Sequence, residues 1–203
     1  MTDAPASRYP ARRIFVLSTL ALFAAGLSFS LRAGVIGAIE SDVLMGIDAA
    51  HARELSGTLL GTAFSGFALT LLLGSVFLDR VGMGRTLVLS GVCFIAGTSL
   101  SIAAPELASG EAVYRLLRAG FLLSGLGWGF MEAAVNPLTA ALYPADKTNR
   151  LNILHAWWPA GLMVGGLAVL ALERAGIGWQ GQLALVIVPS LASLALCIGT
   201  PFP

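Results

Sequence analysis

Residues 121–144, FLLSGLGWGFMEAAVNPLTAALYP, decide how the rest of the chain is read. The run carries one acid, Glu132, and no other Lys, Arg, Asp or Glu lies between Arg118 and Asp146. At about 1.5 Å per residue a helix of this length exceeds the roughly 30 Å hydrocarbon core of a bilayer, which puts Glu132 near mid-membrane. At helical spacing Gly125, Trp128, Glu132 and Asn136 share one stripe, so an aromatic ring, an acid and an amide line a common face. Gly125 and Gly129 form a small-xxx-small pair that admits a second helix closely, and Pro137 leaves a backbone carbonyl unpaired and kinks the span. A stray acid in a poorly packed apolar helix is the plainer alternative. Ionisable groups within membrane spans are rare and mostly functional, which favours a lined cavity.

Composition extends this reading to the whole chain. Over 203 residues, 57% are hydrophobic and only 11% charged, and the mean hydropathy is +0.84. Such a chain cannot make a water-soluble surface, and it reads as an all-α polytopic membrane protein. A net charge of +1 and the absence of a basic cluster with interleaved aromatics exclude nucleic acid as a partner. Cys93 and Cys197 each sit in an apolar run and read as small buried hydrophobes rather than as a disulfide or metal site. No zinc-protease, nucleophile-elbow or P-loop motif is present and no cofactor is called for, so an enzyme is not expected.

Six spans follow from the windows poor in charge: Ile14 to Ile39, Leu55 to Leu78, Thr86 to Ala104, Ala112 to Leu142, Leu151 to Leu172 and Gln182 to Ile198. Residues 1–13 read as a short disordered tail and residues 14–203 as one transmembrane domain. Arg8, Arg12, Arg13, Arg80, Arg85, Lys147 and Arg150 collect in the tail and in the second and fourth loops, while the other loops are richer in acids. Both termini are therefore expected on the cytoplasmic side of the cell (inner) membrane.

Polar residues inside other spans mark further candidates. An unpaired Arg32 past the middle of the first span would cost at least about 2.5–3.5 kcal/mol, so it should face a partner or water, or snorkel outward. Glu40 lies about 80° around the helix from it and could share its cavity, or could be an ordinary acid where the helix leaves the membrane. Asn152 and His155 lie one turn apart where the fifth span begins, followed by Trp157, Trp158 and Pro159. His155 reads as a cavity residue or as a packed core histidine, and Trp179 as an interfacial belt residue. Gly57, Gly61, Gly161 and Gly165 repeat the close-packing spacing. The stretch Asp79-Arg80-Val81-Gly82-Met83-Gly84-Arg85 reads as a tight charged turn.

Six spans with an Asp79-Arg80-x-Gly82 turn between the second and third resemble the N-terminal half of the major facilitator superfamily. Ser75 stands where that loop motif usually has a glycine, and Met83 and Gly84 delay the basic residue to Arg85. Residues 125–137, GLGWGFMEAAVNP, followed by Leu151-Asn152 and His155, resemble more closely the fucose permease branch, the fucose/galactose/glucose:proton symporters. The resemblance covers about residues 14 to 200. It implies half of a twelve-helix fold, in which Glu132 matches the acid of proton coupling and Glu40 the first-span aspartate. The residues expected to contact solute are Arg32, Trp128, Asn136, Asn152 and His155, and the resemblance implies that Asp79, Arg80, Gly82 and Arg85 form a gating loop. His155 stands where the branch often has glutamine. Arg32 has no counterpart there, which leaves open an anionic solute in place of a neutral sugar.

The function expected is proton-coupled secondary transport of a small, sugar-like solute from a site between helices one, four and five. Because alternating access needs two six-helix halves, the expected partners are solute, protons, lipid, and a second half or another copy of the chain. A truncated six-helix fragment that inserts but does not transport is the alternative expectation.

Overall fold

The computed structural model describes residues 9–203, with the side chains of residues 75 and 77 outside the described set. The proposed tail, residues 1–8 of it, lies outside as well. Seven α-helices follow in order: α1 (Ala11–Ile39), α2 (Ala52–Val81), α3 (Met83–Leu107), α4 (Glu111–Leu142), α5 (Lys147–Arg174), α6 (Trp179–Ala184) and α7 (Ile187–Cys197). A π-helical turn, Glu40–Leu44, extends α1. Long apolar segments satisfy all their backbone groups internally only as helices, which is why nearly every window poor in charge is helical.

The boundaries differ from those read in the sequence in a consistent direction. Helices run past the apolar windows into their charged flanks, so Arg12 and Arg13 are the second and third residues of α1 rather than part of a tail. Arg13 is held there by its side chain: Nε donates to the Leu196 carbonyl at 3.1 Å and Nη2 to the Ile198 carbonyl at 2.9 Å. These are end carbonyls of α7 that lack helical partners, so one cation ties the start of the bundle to its last helix.

The expected sixth span is two helices. Pro189 has no N–H to offer the Leu185 carbonyl, and the chain breaks at that residue into α6 and α7. Trp179, read as an interfacial residue, opens α6 and is only 2% exposed. Five stretches are long and apolar enough to cross a membrane: Ala11–Leu44, Ala52–Gly74, Met83–Leu107, Lys147–Arg174 and Trp179–Cys197. The sixth, α4, has 32 residues and rises about 48 Å, but Glu132, Asn136 and its glycines dilute its apolar character.

Packing builds two groups of helices, α4 against α2 and α3, and α1 against α5 and α7; α1 with α4 and α3 with α7 join them. Glycines set the closest approaches. A Cβ on Gly125 would strike the Ala63 carbonyl, and one on Gly129 would meet the Phe67 carbonyl at 2.6 Å, so the α4 pair receives α2 as expected. Gly161 and Gly165 likewise receive Phe23, Leu27 and Ser30 of α1. Gly57 and Gly61 meet nothing within 4 Å, so their spacing marks no helix contact among the described residues. Hydroxyls add bonds between helices: Ser90 Oγ donates to the Gly127 carbonyl at 2.7 Å and Thr70 Oγ1 to the Leu126 carbonyl at 3.3 Å.

Two helices keep a broad apolar surface uncovered. On α2, Phe64, Leu69 and Leu72 are exposed, and on α5, Met163, Leu167 and Leu170. In hydrocarbon such faces are at no disadvantage, and they are also free to meet other helices.

Candidate solute cavity and membrane acid

Between α1, α2 and α4 lies a partly open cavity of about 70 Å³, into which α1 brings Ser28, Phe29 and Arg32 and α4 brings Ser124, Gly125 and Trp128. The i, i+4 spacing of Ser28 and Arg32, and of Ser124 and Trp128, puts each pair on one face of its helix. Arg32 is 6% exposed, alone among the described charged residues in being buried. It donates from Nη1 to Ser28 Oγ, and its guanidinium stands 5.5 Å from the centre of the Phe121 ring. It does not snorkel to the surface, and no described acid pairs with it. The ion pairs among the described residues are Asp48–His51, Glu111–Arg115 and Asp146–Arg150.

Trp128, expected to line a common face with Glu132 and Asn136, is packed among four other aromatic rings. It stacks on Phe67 at 4.1 Å, runs nearly parallel to Trp158 at 6.4 Å, and meets Phe29 at 6.0 Å and Phe64 at 5.9 Å. Its Nε1 is buried without a hydrogen-bond partner, as are Ser124 Oγ and Trp158 Nε1. Ser124 is missing from the residues picked out in the sequence, although its position one turn before Trp128 was there to be seen. Phe29, Phe64 and Phe67 come from other helices and carry no sequence signal of their own.

One turn beyond Trp128, towards the α4–α5 connection, a second polar group forms. Asn136 Nδ2 donates to the Glu132 carbonyl at 3.2 Å and to Glu132 Oε2 at 3.4 Å. Asn136 Oδ1 in turn accepts from His155 Nε2 of α5 at 2.9 Å. Glu132 and Asn136 are half-buried and His155 is exposed on the bundle. Pro137 and Pro159 carry no N–H for the carbonyls of Ala133 and His155, so both helices lose a backbone bond close to this chain of side chains.

The remaining candidates lie elsewhere. Glu40 opens the π-helical turn and accepts from Ser56 Oγ of α2 at 2.9 Å, so it does not share the cavity of Arg32. Asn152 is exposed in a surface groove with residues of the α4–α5 connection, apart from His155. Asp79, Arg80 and Arg85 are exposed around a one-residue turn at Gly82, whose φ of 85° suits glycine. No group of three or more His, Cys, Asp or Glu that could hold a metal occurs among the described residues.

No protein-family model matches the chain. It is 27% identical over 213 residues to Sugar transport protein MST8 of Oryza sativa subsp. japonica, covering 94% of this chain and 40% of the relative. It is 26% identical over 193 residues to Myo-inositol transporter 1 of Candida albicans, covering 92% and 33%. Among solved structures it is similar to the major facilitator superfamily proton:xylose symporter XylE bound to 6-bromo-6-deoxy-D-glucose, with a TM-score of 0.84 and 19% identity over 95% of this chain and 45% of that one. The fold is thus that of half a major facilitator transporter, in a multi-pass membrane protein. The chain spans less than half the length of each of these proteins.

Proposed function

We propose that this chain forms one wall of a proton-coupled secondary transporter for a small, sugar-like solute. The observation that carries the reading is the hydrogen-bonded series Glu132–Asn136–His155 beside an aromatic-walled cavity. A carboxyl group in a span prefers its neutral form when helices close over it and its charged form when water reaches it. Protonation of Glu132 would then follow the alternation between outward- and inward-facing states. Asn136 and His155 would offer hydrogen bonds to solute hydroxyls, and Arg32 and Trp128 would hold the solute in the cavity above them. A solute stacking on Trp128 would have to displace one of the rings now around it. Glu40, bonded to Ser56, would be a second protonatable group near the outer mouth.

Similarity to proteins named for inositol and xylose supports a polyhydroxylated solute, while a place in the fucose permease branch rests on residues 125–137 alone. The opposite wall would come from a second six-helix half or another copy of this chain, docked on the apolar faces of α2 and α5. Both termini would face the cytoplasm, with Asp79, Arg80, Gly82 and Arg85 forming a gating turn on that side.

The test uses the assembled protein in vesicles with an imposed proton gradient. Glu132→Gln keeps the shape and cannot titrate, so gradient-driven accumulation of sugar should vanish while counterflow exchange continues. Accumulation by the variant equal to the parent would remove Glu132 from coupling and leave Glu40 as the candidate.

A further inference from the structure

The cavity wall is rich in donors and short of acceptors. Arg32 has five N–H groups, and the acceptor it reaches among the described residues is Ser28 Oγ. Ser124 Oγ and Trp128 Nε1 are buried in the same wall with no hydrogen-bond partner among the described residues. A guanidinium kept from water and from any acid is costly, because desolvation is not offset by a counter-charge. The cation–π contact with Phe121 offsets part of that cost and brings no negative charge.

What such a wall lacks is a ligand with one negative charge and several acceptor oxygens. A carboxylate meets the planar guanidinium with two parallel hydrogen bonds, and a hydroxyl and an indole N–H beside it can serve the remaining lone pairs. A single positive charge balances a monoanion and would leave a phosphate dianion under-compensated. The cavity, about 70 Å³, has room for a carboxylate beside Arg32 and leaves the rest of the solute to extend through its open side. Phe29, Leu60, Phe64 and Phe94 supply the apolar wall that would cover the carbon face of a ring.

Resting on the transport reading above, we propose that the solute is an acidic monosaccharide of the hexuronate class, with Arg32 as the counter-charge of its carboxylate. The carboxylate binds towards the α1–α2 end of the cavity, against Arg32, Ser124 and Trp128. Glu132 and Arg32 then serve different partners, the acid a proton and the base the solute.

The purified protein in lipid nanodiscs is tested for binding of radiolabelled D-glucuronate and D-glucose, with unlabelled propionate as a bare-carboxylate competitor. Glucuronate should bind at least about tenfold more tightly than glucose, and propionate should compete poorly. Arg32→Gln should abolish that preference, bringing glucuronate binding down to the level of glucose. Arg32→Lys, which keeps the charge without the fork, should retain part of the preference and guards against a folding defect in the first variant. Equal binding of the two sugars, or a glucuronate preference that survives Arg32→Gln, overturns the anion subsite while the transport reading stands. Displacement by propionate as effective as by glucuronate keeps the anion subsite and overturns the sugar assignment. Failure to bind glucuronate overturns the hexuronate assignment, whatever the result with glucose.

Discussion

His155 Nε2 donates to Asn136 Oδ1 across 2.9 Å, joining α5 to α4 one turn from Glu132. The Asn136 amide nitrogen is turned to Glu132, so its oxygen can only accept and the imidazole must present an N–H. His155→Gln, with an amide N–H in place of the imidazole, should keep proton-driven uptake within a few-fold of the parent. His155→Leu leaves a half-buried amide oxygen unpaired, at a cost of about 1–3 kcal/mol, and should lower uptake roughly tenfold or more. Initial rates across a pH series check this: equal loss in both variants would show that the hydrogen bond is not what matters.

Close helix packing makes a second prediction. Gly125→Val places a branched side chain against the Ala63 backbone, and α2 must move to admit it. The variant should lose about 1–3 kcal/mol of stability or more, read as a lower unfolding temperature in detergent. Gly57→Ala, where nothing lies within 4 Å, should be neutral or slightly stabilising. A tolerated Gly125→Val would refute the packing of α2 on α4.

The connection between α1 and α2 carries a pH-sensitive pair. His51 Nδ1 lies 2.9 Å from Asp48 Oδ2, and this hydrogen bond, with the attraction of the two charges, raises the histidine above its usual 6.5. The same hydrogen bond to His51 holds Asp48 below its usual 3.8. The histidine's contribution is therefore complete below about 6.5 and is lost as pH rises through the raised value. That of Asp48 is present above about 3.8 and is lost as pH falls through the lowered value. In Asp48→Asn, the His51 midpoint followed by NMR should fall towards 6.5. An unchanged midpoint would mean that the pair does not persist in solution.

Topology supplies the fourth prediction. Arg12, Arg13, Arg80, Arg85, Lys147 and Arg150 lie at the end of the bundle that also carries the α7 terminus. A reporter active only outside the cytoplasm, fused after Pro203, should stay silent. Strong activity from it would reverse the assigned orientation.

Composition and residue spacing are enough to dictate the material and the order of the fold. Low charge density and apolar windows of bilayer length leave the chain no option but membrane helices, since backbone groups in hydrocarbon must be paired within the segment. The sequence also marks Glu132, Asn136 and His155, because polar residues in such windows are conspicuous, and the spacing of Gly125 and Gly129 because small residues limit how near two helices come. Periodicity describes one helix at a time, and that is where its reach ended. Gly57 and Gly61 have the same spacing as Gly125 and Gly129 and touch nothing, and Asn152 lies one turn from His155 yet faces a surface groove. Helix packing determines that Glu40 bonds to Ser56 rather than facing Arg32, that Trp128 is enclosed by rings from three other helices, and that Arg32 is buried with no acid beside it among the described residues. Each of these depends on the rotation of one helix against another, which is set by the summed packing of all their faces rather than by the residues of any one of them.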